Sequence, residues 1–190
     1  MKQLKDTVVK FVVATLLISM NSFADNHAAP QINALDFYSC SFNKGKDMDD
    51  LRKLDGDYND WAAKHLSGPF YSYIMTPEIA DSGDWNLDLL WLDIYSNHES
   101  LGRSNKAWDE KASEIDKKFN KIWTCDSHST ATSVPVKPLE EAGGSGMLTV
   151  WACTFKEGKS FVDLVSADMQ WVAHMDQVGM EGGLYRWIPD

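Results

Sequence analysis

The chain has 190 residues, with 18 Lys and Arg against 28 Asp and Glu, and a formal net charge of −10. An acidic chain of this kind is a poor partner for nucleic acid or an anionic membrane, because phosphate binding needs clustered Lys and Arg. Its hydrophobic content of 44% is that of a globular chain and excludes wholesale disorder.

Lys2, Lys5 and Lys10 lead into the apolar run Phe11–Met20, and Ser22-Phe23-Ala24 follows. A basic start, a short apolar stretch and a small-x-small tripeptide are the layout of a secretory signal peptide, here residues 1–24. The run is too short for a bilayer span, which takes roughly 20 apolar residues. No Cys follows it to carry a lipid anchor. Cleavage after Ala24 removes three Lys and one Asp, moving the net charge from −10 to −12. The expected location is secreted or periplasmic, without membrane contact after cleavage, and residues 25–35 form a mature N-terminal tail.

Alternation over Phe37–Phe42 puts Tyr38, Cys40 and Phe42 on one face and Ser39 and Ser41 on the other, which predicts a strand. Met48, Leu51, Leu54, Tyr58, Trp61 and His65 then recur at three- and four-residue spacing, one stripe of a helix capped by Asp47 with Asp50 in its first turn. Phe70–Thr76 and Leu87–Tyr95 are aromatic and branched enough for two strands, separated by the turn-rich Ala80–Trp85. A second helix begins near Ser96, with Glu99 in capping-box spacing and Leu101, Trp108, Ala112, Ile115, Phe119 and Ile122 as its apolar face. A last strand lies within Thr124–Val136. The order β-α-β-β-α-β over residues 36–136 predicts a ferredoxin-like unit in the α+β class. Pro135, Pro138 and the Gly143-Gly144-Ser145-Gly146 run read as a linker, bounded at residues 137–146.

Beyond the linker the chain repeats itself. Residues 40–51 and 153–164, offset by 113, share six of twelve residues: Cys40/Cys153, Phe42/Phe155, Gly45/Gly158, Lys46/Lys159, Asp50/Asp163 and Leu51/Leu164. Chance gives about one identity, since common residues each occur at roughly 5–8%. Tyr71 and Tyr73 are echoed by Tyr185 and Trp187. Residues 147–190 therefore read as a second unit holding only strand, helix and strand, the helix capped by Ser160 with Asp163. Such a half-unit leaves a sheet edge and a helix stripe uncovered. The reading favours a chain cut short inside its second unit over completion by another subunit.

In a ferredoxin-like sheet the first and last strands are neighbours, which places Cys40 beside Cys125 and predicts a disulfide suited to an oxidising compartment. Cys153, the equivalent of Cys40, is left unpaired in this chain. Lys46 and Lys159 read as solvated loop residues. None of His27, His65, His98, His128 and His174 stands in a metal-binding spacing, so no metal is expected. Asp88 and Asp93, five residues apart on one strand, point to opposite faces and do not form a joint pair. Nucleophile elbow, P-loop and dinucleotide fingerprints do not occur, and no cofactor is expected. Aromatic residues make up 12% of the chain, with eight Trp, and Trp61, His65, Tyr71, Tyr73 and Trp91 are the candidate lining of an apolar pocket between sheet and helices.

Two such units resemble the dimeric α+β barrel superfamily, in which two ferredoxin-like sheets pack face to face. More narrowly, the C-x-F-x-x-G-K-x-x-x-D-L element at Cys40–Leu51, the helical Trp61 and the C-D-S-H run at Cys125–His128 are similar to an uncharacterised family of secreted bacterial proteins. The superfamily resemblance implies, at the level of the fold, cofactor-independent monooxygenases, stress-responsive proteins and haem enzymes of the chlorite dismutase type. A haem would need a proximal His and a distal Arg, and Arg52, Arg103 and Arg186 are not placed for that. The expected function is an exported binding protein for a small apolar or aromatic ligand, or a non-catalytic module. The alternative is a cofactor-independent monooxygenase-like enzyme that orients substrate with Tyr71, Trp61 or His65. The expected partners are that ligand and, through the incomplete second unit, a second copy of the chain.

Overall fold

The computed structural model describes residues 31–78, 87–139 and 145–190. The signal peptide, the Ala80–Trp85 turn and Gly143-Gly144 of the linker lie outside the described residues. The element order is β1 (Asn33–Phe42), α1 (Met48–Arg52), α2 (Asp55–His65), β2 (Phe70–Met75), β3 (Leu89–Tyr95), α3 (His98–Lys111), α4 (Ser113–Phe119), β4 (Trp123–Lys137), α5 (Phe161–Gln177) and β5 (Leu184–Pro189).

All five strands join one antiparallel sheet in the order β2-β3-β1-β4-β5. The first four strands and their helices follow the expected β-α-β-β-α-β order, with β1 and β3 central. Alternation sorts every strand into two faces. Asp36, Tyr38 and Cys40 of β1 share a face with Trp91 and Asp93 of β3, and on this side lies the main core. Tyr58 of α2, Ala112, Ile115 and Phe119 of the α3–α4 stretch, and Trp123 close over it. The opposite face gathers Leu35, Leu92 and Ala131 with Phe37, Tyr73, Met75, Ile94 and Trp187, a cluster made of strand residues only.

Local chemistry explains most boundaries. Asp47 caps α1 by accepting from the Asp50 amide at 3.1 Å. The single helix expected from Met48 to His65 is instead two, broken at Lys53-Leu54, with the second starting at Asp55. The cap of α3 is Asn97, not Ser96: its side chain accepts from the Ser100 amide at 2.8 Å. Ser160 and Asp163 form a capping box at the head of α5. Gly45 and Gly158 both take positive φ, +76° and +72°, and each sits in a turn closed by the same bond, Lys46 N–H to Asn43 at 2.9 Å and Lys159 N–H to Lys156 at 2.9 Å.

The second half departs from expectation in one respect. Residues 147–155 form no strand and are exposed throughout. A strand needs a partner for its amides and carbonyls, and β5 has instead added itself to β4, extending the first sheet. The helix α5 lies on the helix side of that extension, fixed by the Asp168 carboxylate to the Arg186 guanidinium of β5.

Cys40 and Cys125 are cross-strand partners and form a disulfide; Cys153 is free and exposed. The bond fits a non-reducing compartment. Among the described residues no helix is long and apolar enough to cross a membrane.

Candidate functional site

The five pocket residues expected from the sequence are divided by the sheet. Trp91 lies on the helix side, in the core. Trp61 packs there edge-on against Trp108, with its indole N–H donating to the Lys111 carbonyl at 3.1 Å. His65 leans on Trp61, and its pKa is lowered by desolvation and then by Lys64 and Lys111. Tyr73 lies on the opposite face, in the strand-only cluster, and Tyr71 alternates onto that same side and is exposed. The stretch Phe70–Met75 presents Ser72 and Ile74, not its tyrosines, to the helices. A pocket containing all five does not form.

What forms instead is a cleft of about 260 Å³ between α2 and the β2–β3 edge, lined by Asp55, Tyr58, Asn59, Ser72, Ile74 and Trp91. Deeper in, the Trp61, Trp108, Phe119 and Trp123 rings pack against one another, Phe119 stacked on Trp123, and Phe119 and Trp123 meet Trp91 edge to face, filling the space between sheet and helices.

Beneath the cleft floor is a buried polar cluster. Asp93 accepts from the Ser72 hydroxyl, from the Trp91 indole N–H at 2.9 Å and from the Tyr95 hydroxyl at 3.5 Å. Directly across the sheet stands Asp36, its cross-strand partner. Asp36 accepts from the Tyr38 hydroxyl at 3.1 Å and meets His128 Nε2, whose ring stacks on Tyr38 at 4.5 Å. Asp36 is 1% exposed and Asp93 7%. Burial pushes Asp93 up to about 6, against the pull of its hydrogen bonds, with Asp36 adding to the rise. Burial, followed by the nearby carboxylates, also raises Tyr38, Tyr58 and Tyr95 far above the usual phenol range.

Asp93 is thus the group in the cluster best placed to take up a proton, beside a small aromatic-walled cleft. Among the described residues no three His, Cys, Asp or Glu side chains converge to hold a metal. Asp88 lies outside the cluster, accepting from the Phe42 amide at 2.7 Å. His98 binds Thr132 at 2.9 Å, away from the cleft.

Of the residues the site uses, Asp55, Tyr58, Asn59, Ser72 and Ile74 of the cleft, and Asp36 and His128 of the buried cluster, were not among those expected from the sequence to line a pocket. The signal for Asp36 was present: carrying the β1 alternation back two residues from Tyr38 places a carboxylate on the core face. His128 stands in the C-D-S-H run, but nothing in the sequence sets it over Asp36, because that position depends on the irregular pairing between Ser39 and Cys40. No protein family, curated protein or solved structure was found to match the chain.

Proposed function

We propose that this is an exported binding protein that takes a small aromatic molecule in the cleft between α2 and the β2–β3 edge. The observation that carries the reading is the cleft itself, where Trp91 and Tyr58 wall a space with a hydroxyl at its floor. Aromatic walls with a few placed polar groups are the usual makeup of a small-molecule site. The deeper interior is occupied by the protein's own rings, so the ligand is small and half-open to solvent. The test is a titration of the chain with indole, phenol and benzyl alcohol, followed by amide and Trp side-chain NMR. Shifts confined to Tyr58, Ser72, Ile74 and Trp91, and lost in Asn59→Trp, support the reading. Shifts elsewhere, or none at millimolar ligand, overturn it.

A second reading, an association module of tandem ferredoxin-like units, is favoured by a separate observation. Exposed large apolar side chains concentrate in the C-terminal stretch, among them Met147, Trp151, Phe155, Val162, Met169 and Trp171. Of the counterparts 113 residues earlier, Ala34 and Tyr58 are buried and Tyr38 and Phe42 partly so, with Tyr58 packed against Phe119 of α4 and Trp91 of β3. A helix that is apolar on most sides belongs inside a larger assembly. The open sheet face around Phe37, Tyr73 and Trp187 suits the face-to-face packing of a dimeric α+β barrel. The monooxygenase-like alternative would draw on Asp93 as the group that exchanges a proton; turnover of a cleft-bound aromatic in the presence of oxygen would favour it over simple binding.

A further inference from the structure

Resting on the cleft as the binding site, we infer that its ligand carries an ammonium or comparable cationic donor next to its aromatic body. The argument starts from the count of hydroxyl protons. Ionised Asp93 can only accept, so Ser72 must spend its single proton on it. The Tyr58 hydroxyl, 3.1 Å from Ser72 Oγ, is then the donor in that contact. The Trp91 indole N–H is likewise committed to Asp93. What these side chains have left for an occupant is lone pairs on Ser72 and Tyr58 and the π face of Trp91. Asp55 adds a carboxylate at the rim, which makes no ion pair among the described residues. Lone pairs, an aromatic face and an unpaired carboxylate all favour a cation that donates hydrogen bonds.

The same chain shows a cation seated in the corresponding place. Asp168 on α5 follows Asp55 by 113 residues, and Arg186 on β5 follows Ser72 by 114. Both strands present these residues to the helix side, and there the Arg186 guanidinium lies on the Asp168 carboxylate. In the first unit the strand position is Ser72, too short to reach, and the carboxylate on the helix is left for a cation from outside.

The groups facing Asp93 are Asp36 and Tyr38 from β1, Ser72 from β2, Tyr95 from β3 and Tyr58 from α2, with His128 of β4 beyond Asp36. None of those next to Asp93 brings a fixed positive charge. When Asp93 takes up a proton it can itself donate, the Ser72 proton is freed, and the floor no longer demands a donor. Cation binding therefore weakens as pH falls through the range in which Asp93 protonates.

The experiment compares benzylamine with its neutral isostere benzyl alcohol on the oxidised full chain, by the same NMR titration, at pH 7.5 and pH 5. Benzylamine is expected to bind about tenfold more tightly at pH 7.5. The preference, read as the ratio of the two affinities, should shrink in Asp55→Asn, in Ser72→Ala and at pH 5. Asp55 is exposed, so its variant tests the proposal without disturbing the core. Equal binding of the two probes overturns the cationic inference and leaves the aromatic cleft standing. Failure of both probes to bind overturns the cleft, and the inference with it.

Discussion

Asp36 of β1 and Asp93 of β3 face one another across the sheet, both almost fully buried, and the nearest group able to become a cation is the half-exposed His128 on β4. Cross-strand partners hold their Cβ atoms about 5 Å apart, and two carboxylates so close resist being ionised together. The pair is held by hydroxyl and indole donors in place of a counter-charge. Stability is thereby reduced in return for a protonatable group next to the cleft.

The pH dependence follows from the direction of the Asp93 shift. Its folded pKa, about 6, lies above the ordinary carboxylate value of 3.8. The folded state thus binds the proton more tightly, and the contribution of Asp93 to stability falls as pH rises between those values. The lost stability is on the order of 3 kcal/mol. Asp93→Asn mimics the neutral acid, so variant and parent should be close at pH 4, and the variant should gain relative to the parent up to about pH 6.5. Urea unfolding of both chains at four pH values checks this; a difference independent of pH would refute it. Comparing the two chains cancels the opposite trend from the surface carboxylates Asp50, Glu114 and Asp163, whose pKa values are lowered by lysines and amides.

The disulfide closes a loop of 85 residues between the first and fourth strands. In the chain-entropy description, a loop of that length is stabilised by about 4–5 kcal/mol. Non-reducing peptide mapping should yield a Cys40–Cys125 pair, and Cys153 should react with a thiol reagent in the folded protein. Cys40→Ser with Cys125→Ser should lower the urea midpoint strongly. A Cys40–Cys153 peptide would be incompatible with the sheet order.

The order of the first four strands and the cysteine pairing were legible in the sequence because both follow from the β-α-β-β-α-β order, which makes the first and fourth strands neighbours and sets Cys40 beside Cys125. The cleft was not legible, for a physical reason. Tyr71 and Tyr73 looked like a pocket wall, but a strand's period of two gives no sign of which face meets the helices. That choice depends on the cross-strand partners of Ser72, and above all on Asp93, whose own partner Asp36 is 57 positions away in the chain. The position of β5 was equally hidden, since an edge strand pairs with whichever edge the rest of the sheet leaves free.

The ion pair between Asp168 and Arg186 should hold α5 on the sheet. Asp168 is buried and Arg186 partly so. Removing one partner leaves the other without compensation, at a cost of about 2–3 kcal/mol for a pair of this exposure. Asp168→Ala is therefore expected to raise hydrogen exchange in α5 and β5 while β1, β3 and the core behind them keep their protection. Uniform loss of protection across the sheet would show that the C-terminal pair is part of one cooperative unit with the rest.

The contacts of the two halves lead to a sharper test of the same division. The main core runs from Cys40 to Trp123, and the smaller cluster of Ala34, Tyr95 and Leu101 also lies wholly within the first unit. In the open-face cluster, among the described residues, Trp187 is the one member from beyond β4, resting on Phe37 at 5.3 Å. A chain ending at Pro138 retains all of β4 but loses its pairing with β5, which leaves β4 as an edge strand, and the cover that Trp187 gives to Phe37 and Ala131. Burial of an aromatic side chain of this size contributes about 2–3 kcal/mol, which the disulfide-closed unit should withstand. The shortened chain is expected to unfold in one transition, with Trp fluorescence and far-UV circular dichroism giving the same midpoint. Separate midpoints, or a gradual slope, would mean that β5 is required to complete the sheet and that residues 31–138 are not a folding unit.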